Sequence, residues 1–415
     1  MIKQYKLSNG VVVVTENLPH NASATVGIFV RAGSVDEARH GGISHFIEHM
    51  LFKGTKTRGY RQIPGDIEKL GGSINAFTGR EATCYYVKSL SSNLFASIDV
   101  LSDIMTNSLF DQAEIDKERQ VIIEEMKMVE DVPDDWGSDL ITESIFRGSE
   151  LERRVIGTRD SVSAITRDDM LGYMAERYTA DSIVISCSGM FDEEALREKL
   201  EAGFGAFASV VTAPRSYTPG SAGPQRECTI REIEQTHLFL GTNGLKFLDD
   251  DVYALNLYSA ILGGGMSSRL FTAVREEKGL AYSVYSADAP YVEDGQFVIY
   301  AGVAHDKLTA ALGAMKDVIV KLAEDGVHEE ELSRVKEQYK GGFVFRGESN
   351  SSRMFTIGRN MILLDRIITD EEILAKIDSI TGEDVRRIAA RFADLSKYSA
   401  VVIGGQPVDL DRLLG

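Results

Sequence analysis

The chain reads as an α+β protein built twice, each half a mainly antiparallel sheet with helices packed on it. Three observations lead there. Strand and helix patterns are segregated rather than strictly alternating, which is the mark of α+β domains. Segments of the first half recur in the second. A stretch rich in Pro, Gly and Ser at 211–227 separates the two halves; it holds three of the eight prolines and has no apolar period. The domains are therefore set at 1–212 and 227–415, with the linker at 213–226. With 415 residues, the chain also exceeds what one ordinary core accommodates.

Taken in order, alternating apolar residues predict strands at 2–7, 11–16, 24–31 and 81–88. Apolar residues at helical spacing predict helices at 91–107, 111–130, 138–146, 167–176 and 192–201. Thr166 and Thr381 stand where a helix N-cap belongs. They open two copies of one pattern, ITRDDMLGYMAERYTADSIVISCSG (165–189) and ITGEDVRRIAARFADLSKYSAVVIGG (380–405). Each copy is a capped helix followed by a short apolar strand. In the same way 110–128 parallels 327–345, and 24–34 parallels 236–246.

Composition narrows the function. A net charge of −18 argues against nucleic acid, whose phosphates demand a basic footprint, and is compatible with basic peptides. No apolar run approaches the length of a bilayer span, and the first residues lack the apolar core of a signal peptide. Cys84, Cys187 and Cys228 lie far apart without metal-knuckle spacing. They fit free thiols in a reducing compartment, so a cytoplasmic location without membrane attachment is expected.

The chemistry concentrates in GGISHFIEHMLFKGT (41–55). On a helix over 43–53, His45 and His49 fall one turn apart on one face, and Glu48 joins them. Two neutral imidazoles at that spacing can grip one zinc ion, and a neighbouring carboxylate can take a proton from water. The order H-x-x-E-H is the inverzincin signature. A third ligand is needed. Downstream, Glu118 and Glu125 lie two turns apart on one helix face, but spacing alone does not choose between Glu124 and Glu125.

Four stretches, RAGSVDEARHGGISHFIEHMLFKGT, LGGSINAFTGREATCYYV, ERQVIIEEMKMVEDVPDD and GGGMSSRLFTAVREEKGLAYSVYS, together resemble the pitrilysin, insulysin and mitochondrial processing peptidase family of zinc peptidases. The small bacterial members related to the processing peptidase β-subunit are the nearest in pattern. The resemblance implies a zinc metalloendopeptidase with one Zn2+ per chain, held by His45, His49 and Glu125. It makes Glu48 the general base and Glu118 the support behind a ligand. Asn75 and Ala76 match positions that touch the backbone of a peptide added to the sheet edge. Arg275 and Tyr282 match a pair that the family brings to the zinc site, suited to holding a developing oxyanion. Asp135 and Asp139 match acidic positions that bind an arginine near the cleaved bond in the processing peptidases. On a helix starting near Pro133 they share a face.

The duplicated strands align 254–258 with the histidine motif and Gly342 with Glu125, so the second half is expected to keep the fold without metal. The halves would face each other as a clamshell around a cavity that encloses extended peptide. Two chains are expected to work together, as a homodimer or as a heterodimer with a homologous subunit. The alternative is a non-catalytic partner or structural core subunit of the same family. Such members usually have broken motifs, whereas all four central residues, His45, Glu48, His49 and Glu125, are present here.

Overall fold

The computed structural model describes residues 2–209, 215, 217–218, 220 and 223–414. The linker expected at 213–226 lies partly outside them. Contacts group the chain into two units. The first comprises Met1–Lys127, Arg153–Arg215 and Val344–Ile368; the second comprises Met128–Glu152, Ser216–Phe343 and Thr369–Gly415.

The first unit is built on strands β1 (Ile2–Lys6), β2 (Val12–Asn17), β3 (Ser23–Val30), β4 (Ser73–Thr78), β5 (Thr83–Leu90) and β6 (Ile183–Gly189). They form one sheet in the order β1-β2-β6-β3-β5-β4. The second unit uses β7 (Arg226–Ile230), β8 (Gln235–Asn243), β9 (Ala281–Pro290), β10 (Gly295–Ala304) and β11 (Ser399–Gly404), in the order β7-β11-β8-β10-β9. Apart from β1 the two orders superimpose strand for strand. Even the exception repeats: β2 with β6 and β7 with β11 are parallel pairs in otherwise antiparallel sheets. The duplication and the mainly antiparallel sheets stand as the sequence predicts.

The helices of the chain's first half are α1 (Ile43–Leu51), α2 (Gln62–Lys69), α3 (Leu94–Asn107), α4 (Gln112–Asp131), α5 (Pro133–Ile145), α6 (Arg159–Ala164), α7 (Arg167–Arg177) and α8 (Glu193–Phe204). Those of the second half are α9 (Val252–Gly263), α10 (Leu308–Asp325), α11 (Glu329–Gly347), α12 (Asn350–Leu364), α13 (Asp370–Ser379), α14 (Gly382–Arg391) and α15 (Leu410–Leu414). Thr166 and Thr381 cap α7 and α14 in matching boxes, with Asp169 and Asp384 answering three residues on. None of the described helices is long and apolar enough to cross a membrane.

One face of the first sheet packs against α1, α3, α4 and α8 in a continuous core that includes Val26, Ile28, Phe46, Ile47, Leu101 and Ile122. The other face, with Val14, Phe29, Cys84 and Val184, is covered by Met354, Ile357 and Met361 of α12. Because successive strand residues point to opposite faces, β3 serves both layers. The contact with α12 is unusually close. A Cβ on Gly27 would come within 2.4 Å of the Met354 sulfur, and one on Gly358 within 2.2 Å of the Phe29 ring. The second unit repeats this reciprocity: a Cβ on Gly137 of α5 would meet Phe239, and one on Gly241 would meet Ile145 and Ile141.

Contacts thus set α12 with the first sheet and α5 with the second, whereas the division by sequence keeps each with its chain neighbours. An apolar helix face is visible in sequence, but not which sheet it will cover. Gly358→Ala is expected to overpack the Phe29 contact and cost about 1–3 kcal/mol. A thermal unfolding midpoint equal to that of wild type would show that the helix can lift without penalty.

Candidate metal centre

Helix α1 begins at Gly42, whose φ of +88° is the left-handed conformation favoured by glycine. A Cβ there would sit 2.6 Å from the Ile156 carbonyl oxygen. From this start, Phe46, Ile47, Met50 and Leu51 face the core and are fully buried. That packing leaves His45 and His49 on the helix's other side, with ring centroids 4.7 Å apart. Helix α4 buries Ile115, Ile122 and Met126. The same phase turns Glu118 and Glu125 toward the two histidines.

The carboxylate of Glu125 lies 3.6 Å from His49 Nε2 and 3.9 Å from His45 Nε2. Ligand atoms of these three residues all fall within 4.8 Å of one another, and among the described residues no other His, Cys, Asp or Glu set converges in this way. Donors around a tetrahedral ion with bonds of ~2.1 Å stand roughly 3.4 Å apart, so the trio fits one small cation after a slight contraction. The buried Nδ1 of His45 has no hydrogen-bond partner. Glu124, the competing carboxylate, instead reaches Lys127 at 2.5 Å with 65% of its side chain exposed. Helical phase, not composition, selects Glu125.

Two carboxylates support this set. Glu118 accepts a hydrogen bond from His49 Nδ1 at 3.1 Å, which fixes the tautomer that leaves Nε2 as the donor atom. Burial alone would raise Glu118, but the hydrogen bonds from His49 and Lys53 outweigh it and hold the carboxyl below its usual range. Lys53 Nζ stands 2.5 Å from the other Glu118 oxygen. Glu48 accepts the Thr78 hydroxyl at 2.5 Å. Burial raises the Glu48 carboxyl, with the Thr78 bond partly opposing it.

Sequence reasoning missed Thr78 and Lys53. Lys53 continues the stripe of His45 and His49 at the next i+4 position, so its spacing carried a usable signal. Thr78 lay inside a quoted motif, but its reach to Glu48 depends on β4 passing α1, which no local pattern encodes.

The other expected residues fall as follows. Asn75 and Ala76 lie on β4, which among the described residues pairs only with β5 and so forms an edge of the first sheet. Asn75 is exposed, and its side-chain oxygen accepts the Ala76 N–H at 2.8 Å. Arg275 and Tyr282 belong to the second unit. The guanidinium lies 5.3 Å from the centre of the Tyr282 ring, and Tyr282 is 73% exposed. Asp135 and Asp139 are also in the second unit, on α5, with Pro133 in the first turn as the spacing predicts. Residues 254–258 lie in α9 and Gly342 in α11.

His45 carries a pH signature. Burial, then the neighbouring His49, bring its pKa from 6.5 down to about 4. Between those values the unfolded chain binds the proton and the fold does not, so stability falls as pH falls through that window. Metal-free wild type should therefore lose on the order of 2–3 kcal/mol from pH 6.5 to pH 4 relative to His45→Gln. Parallel denaturation profiles for the two proteins across that range would contradict the assignment of a neutral, buried His45.

Comparison with known proteins agrees with this geometry. The model of the insulinase family, peptidase family M16, matches residues 12–159, and that of the peptidase M16 inactive domain matches 164–339. An uncharacterized zinc protease of Bacillus subtilis is 37% identical over 94% of this chain and 95% of its own. Another, from Rickettsia bellii, is 35% identical over 96% of both chains. A crystal structure from Pseudomonas fluorescens, described as a peptidase M16 inactive domain, shares the fold with a TM-score of 0.91 at 19% identity; the match covers 98% of this chain and 99% of that one. Two matched domains in tandem and end-to-end similarity to these relatives place the chain in peptidase family M16.

Proposed function

We propose that this protein is a zinc-dependent metallopeptidase that hydrolyses peptide bonds in extended peptides. The observation that carries the reading is the convergence of His45, His49 and Glu125, with Glu48 one residue from a ligand and supported by Thr78. His45, His49 and Glu125 would hold the ion, as neutral imidazoles and a carboxylate suit Zn2+. When bound, zinc supplies a Lewis acid that polarises the scissile carbonyl and makes an adjacent water more acidic. Glu48 takes the proton from the attacking water and passes it to the leaving amine. Glu118 keeps His49 oriented throughout. The free edge of β4 offers backbone groups to a peptide lying as an added strand, with Asn75 and Ala76 in contact with it.

The names of the relatives support the zinc and the peptidase class. The reading as a non-catalytic subunit is weaker, because no member of the motif is broken. Metal analysis together with cleavage of a mixed peptide library tests the choice. Glu48→Gln should retain zinc and lose hydrolysis, since an amide keeps the shape but cannot accept the proton. His49→Ala should lose the metal. Stoichiometric zinc in His49→Ala, or near-wild-type turnover in Glu48→Gln, would refute the assignment.

Arg275 and Tyr282 serve the developing oxyanion in this reading. Tyr282→Phe should then lower kcat more than it raises KM. A pure KM effect would reduce Tyr282 to a substrate grip. Asp135 and Asp139 select a basic side chain before the cleaved bond. The double variant Asp135→Asn, Asp139→Asn should lose any preference for arginine over alanine two or three residues upstream; a preference left intact would release both residues from that role. The working assembly is two chains, either identical or homologous. The cytoplasm is the expected location, supported by Cys84, Cys187 and Cys228 all being free thiols.

A further inference from the structure

We propose that Glu37 is a positioning residue for the metal-binding helix: its buried carboxylate anchors the start of α1 and so sets where His45, Glu48 and His49 stand. The inference deepens the metallopeptidase reading and rests on it for its functional consequence.

A helix start leaves four backbone N–H groups without helical partners and carries a partial positive charge. Ser, Thr, Asp or Asn at the N-cap normally meets one of them. Helix α1 has Gly42 at that position and no side-chain cap. Glycine is required there by the left-handed φ and by the crowding of the Ile156 carbonyl, so the cap must come from elsewhere. Glu37 supplies it from five residues upstream. One of its oxygens accepts Gly42 N–H at 2.6 Å and the other accepts Ser44 N–H at 2.9 Å. Glu37 is 3% exposed and Ser44 is fully buried. The Ser44 hydroxyl in turn bonds the Tyr173 hydroxyl of α7 at 2.9 Å. The Glu37 carboxylate and the Tyr173 hydroxyl therefore pin the residue directly before His45 from two sides.

Such a bidentate clasp is directional. Charge-assisted bonds to two amides of the helix start, two residues apart, fix the rotation of the first helical turn as well as its height. A buried carboxylate with no cation of its own is costly to keep. Burial pushes the Glu37 carboxyl up to about 7, against the Ser44 and Gly42 hydrogen bonds, with Asp36 adding a further rise. The titratable groups around it are Asp36 in its own segment and Tyr173 and Tyr178 from α7 and its end. Arg177 and Arg215 are engaged by Asp36 at 3.5 and 2.5 Å.

Asp36 provides the control. It is similarly buried, lies next in sequence and holds its own loop through Gly33 N–H at 3.1 Å, but no bond links it to α1. Purified metal-free wild type, Glu37→Gln and Asp36→Asn are titrated with Zn2+ against a chromophoric chelator, and amide hydrogen exchange is measured along α1. Glu37→Gln, which presents a donor where an acceptor is needed, should weaken zinc by about tenfold or more, the scale of losing an outer orienting partner. It should also speed exchange at Gly42 and Ser44. Asp36→Asn should change zinc affinity less than twofold, whatever it does to the melting temperature. Equal zinc losses in the two variants, or unchanged α1 exchange in Glu37→Gln, would overturn the proposal. If wild type binds no zinc, the metallopeptidase reading fails by itself and the exchange measurement still decides the role of Glu37. If Glu37→Gln does not fold, Glu37→Asp carries the test: its shorter side chain cannot reach both amides, so exchange at Gly42 and Ser44 should quicken while that in α14 does not. Unchanged exchange at Gly42 and Ser44 in that variant would count against the clasp.

Discussion

The candidate site depends on one contact between helices, the laying of α4 across α1. All the ligand chemistry is divided between them: two imidazoles on α1, one carboxylate on α4. Glu118 makes the contact exacting. A carboxylate this buried is tolerable only while Lys53 and His49, both from α1 or its end, answer its two oxygens. Arg119, next to it on α4, sits 5.3 Å over the Phe46 ring of α1 and donates to the Ile165 carbonyl at 2.7 Å. The helices are thus locked by a charge pair on one side and a stacked cation on the other. Apolar packing of Ile122 and Met126 supplies the adhesion but would allow sliding; the polar contacts set the register.

Glu48 is held by the sheet rather than by α4. Thr78, the last residue of β4, holds Glu48, while Ile74 and Ala76 on the same strand face pack into the core. Asn75 and Phe77 point the other way, and Phe77 meets Phe355 of α12 at 5.7 Å. A single six-residue edge strand therefore carries both the hydroxyl that steadies Glu48 and a contact to the helix behind the sheet. Displacing that edge would be felt at Glu48 without any change in the metal ligands.

Much of this was legible in the sequence because it obeys local periods. The i, i+4 histidines, the seven-residue step from Glu118 to Glu125 and the matched caps at Thr166 and Thr381 are all properties of a helix considered alone. The choice between Glu124 and Glu125 was not, since it depends on which face of α4 is buried; the Glu124–Lys127 pair settles it in the structure. Glu37 and Thr78 were invisible for a different reason. Each acts on α1 from a neighbouring segment, at a separation no repeat predicts. The placement of α5 and α12 was hidden in the same sense, because apolar faces do not name their partners.

That placement bears on how the protein is made. Strands and helices that form the first unit are mostly translated within the first two hundred or so residues. Yet the layer over Phe29, Cys84 and Val184 arrives only with Met354 and Ile357, after about three quarters of the second unit has been synthesised. Until then, one apolar face of the nascent sheet remains bare. The ribosome thus delivers the two units out of phase with their assembly, because α12 of the first unit emerges after β7 to β10 of the second and before β11. An insertion or slow codon cluster between α11 and α12 would lengthen the exposure of that face, and with it the time during which it can aggregate.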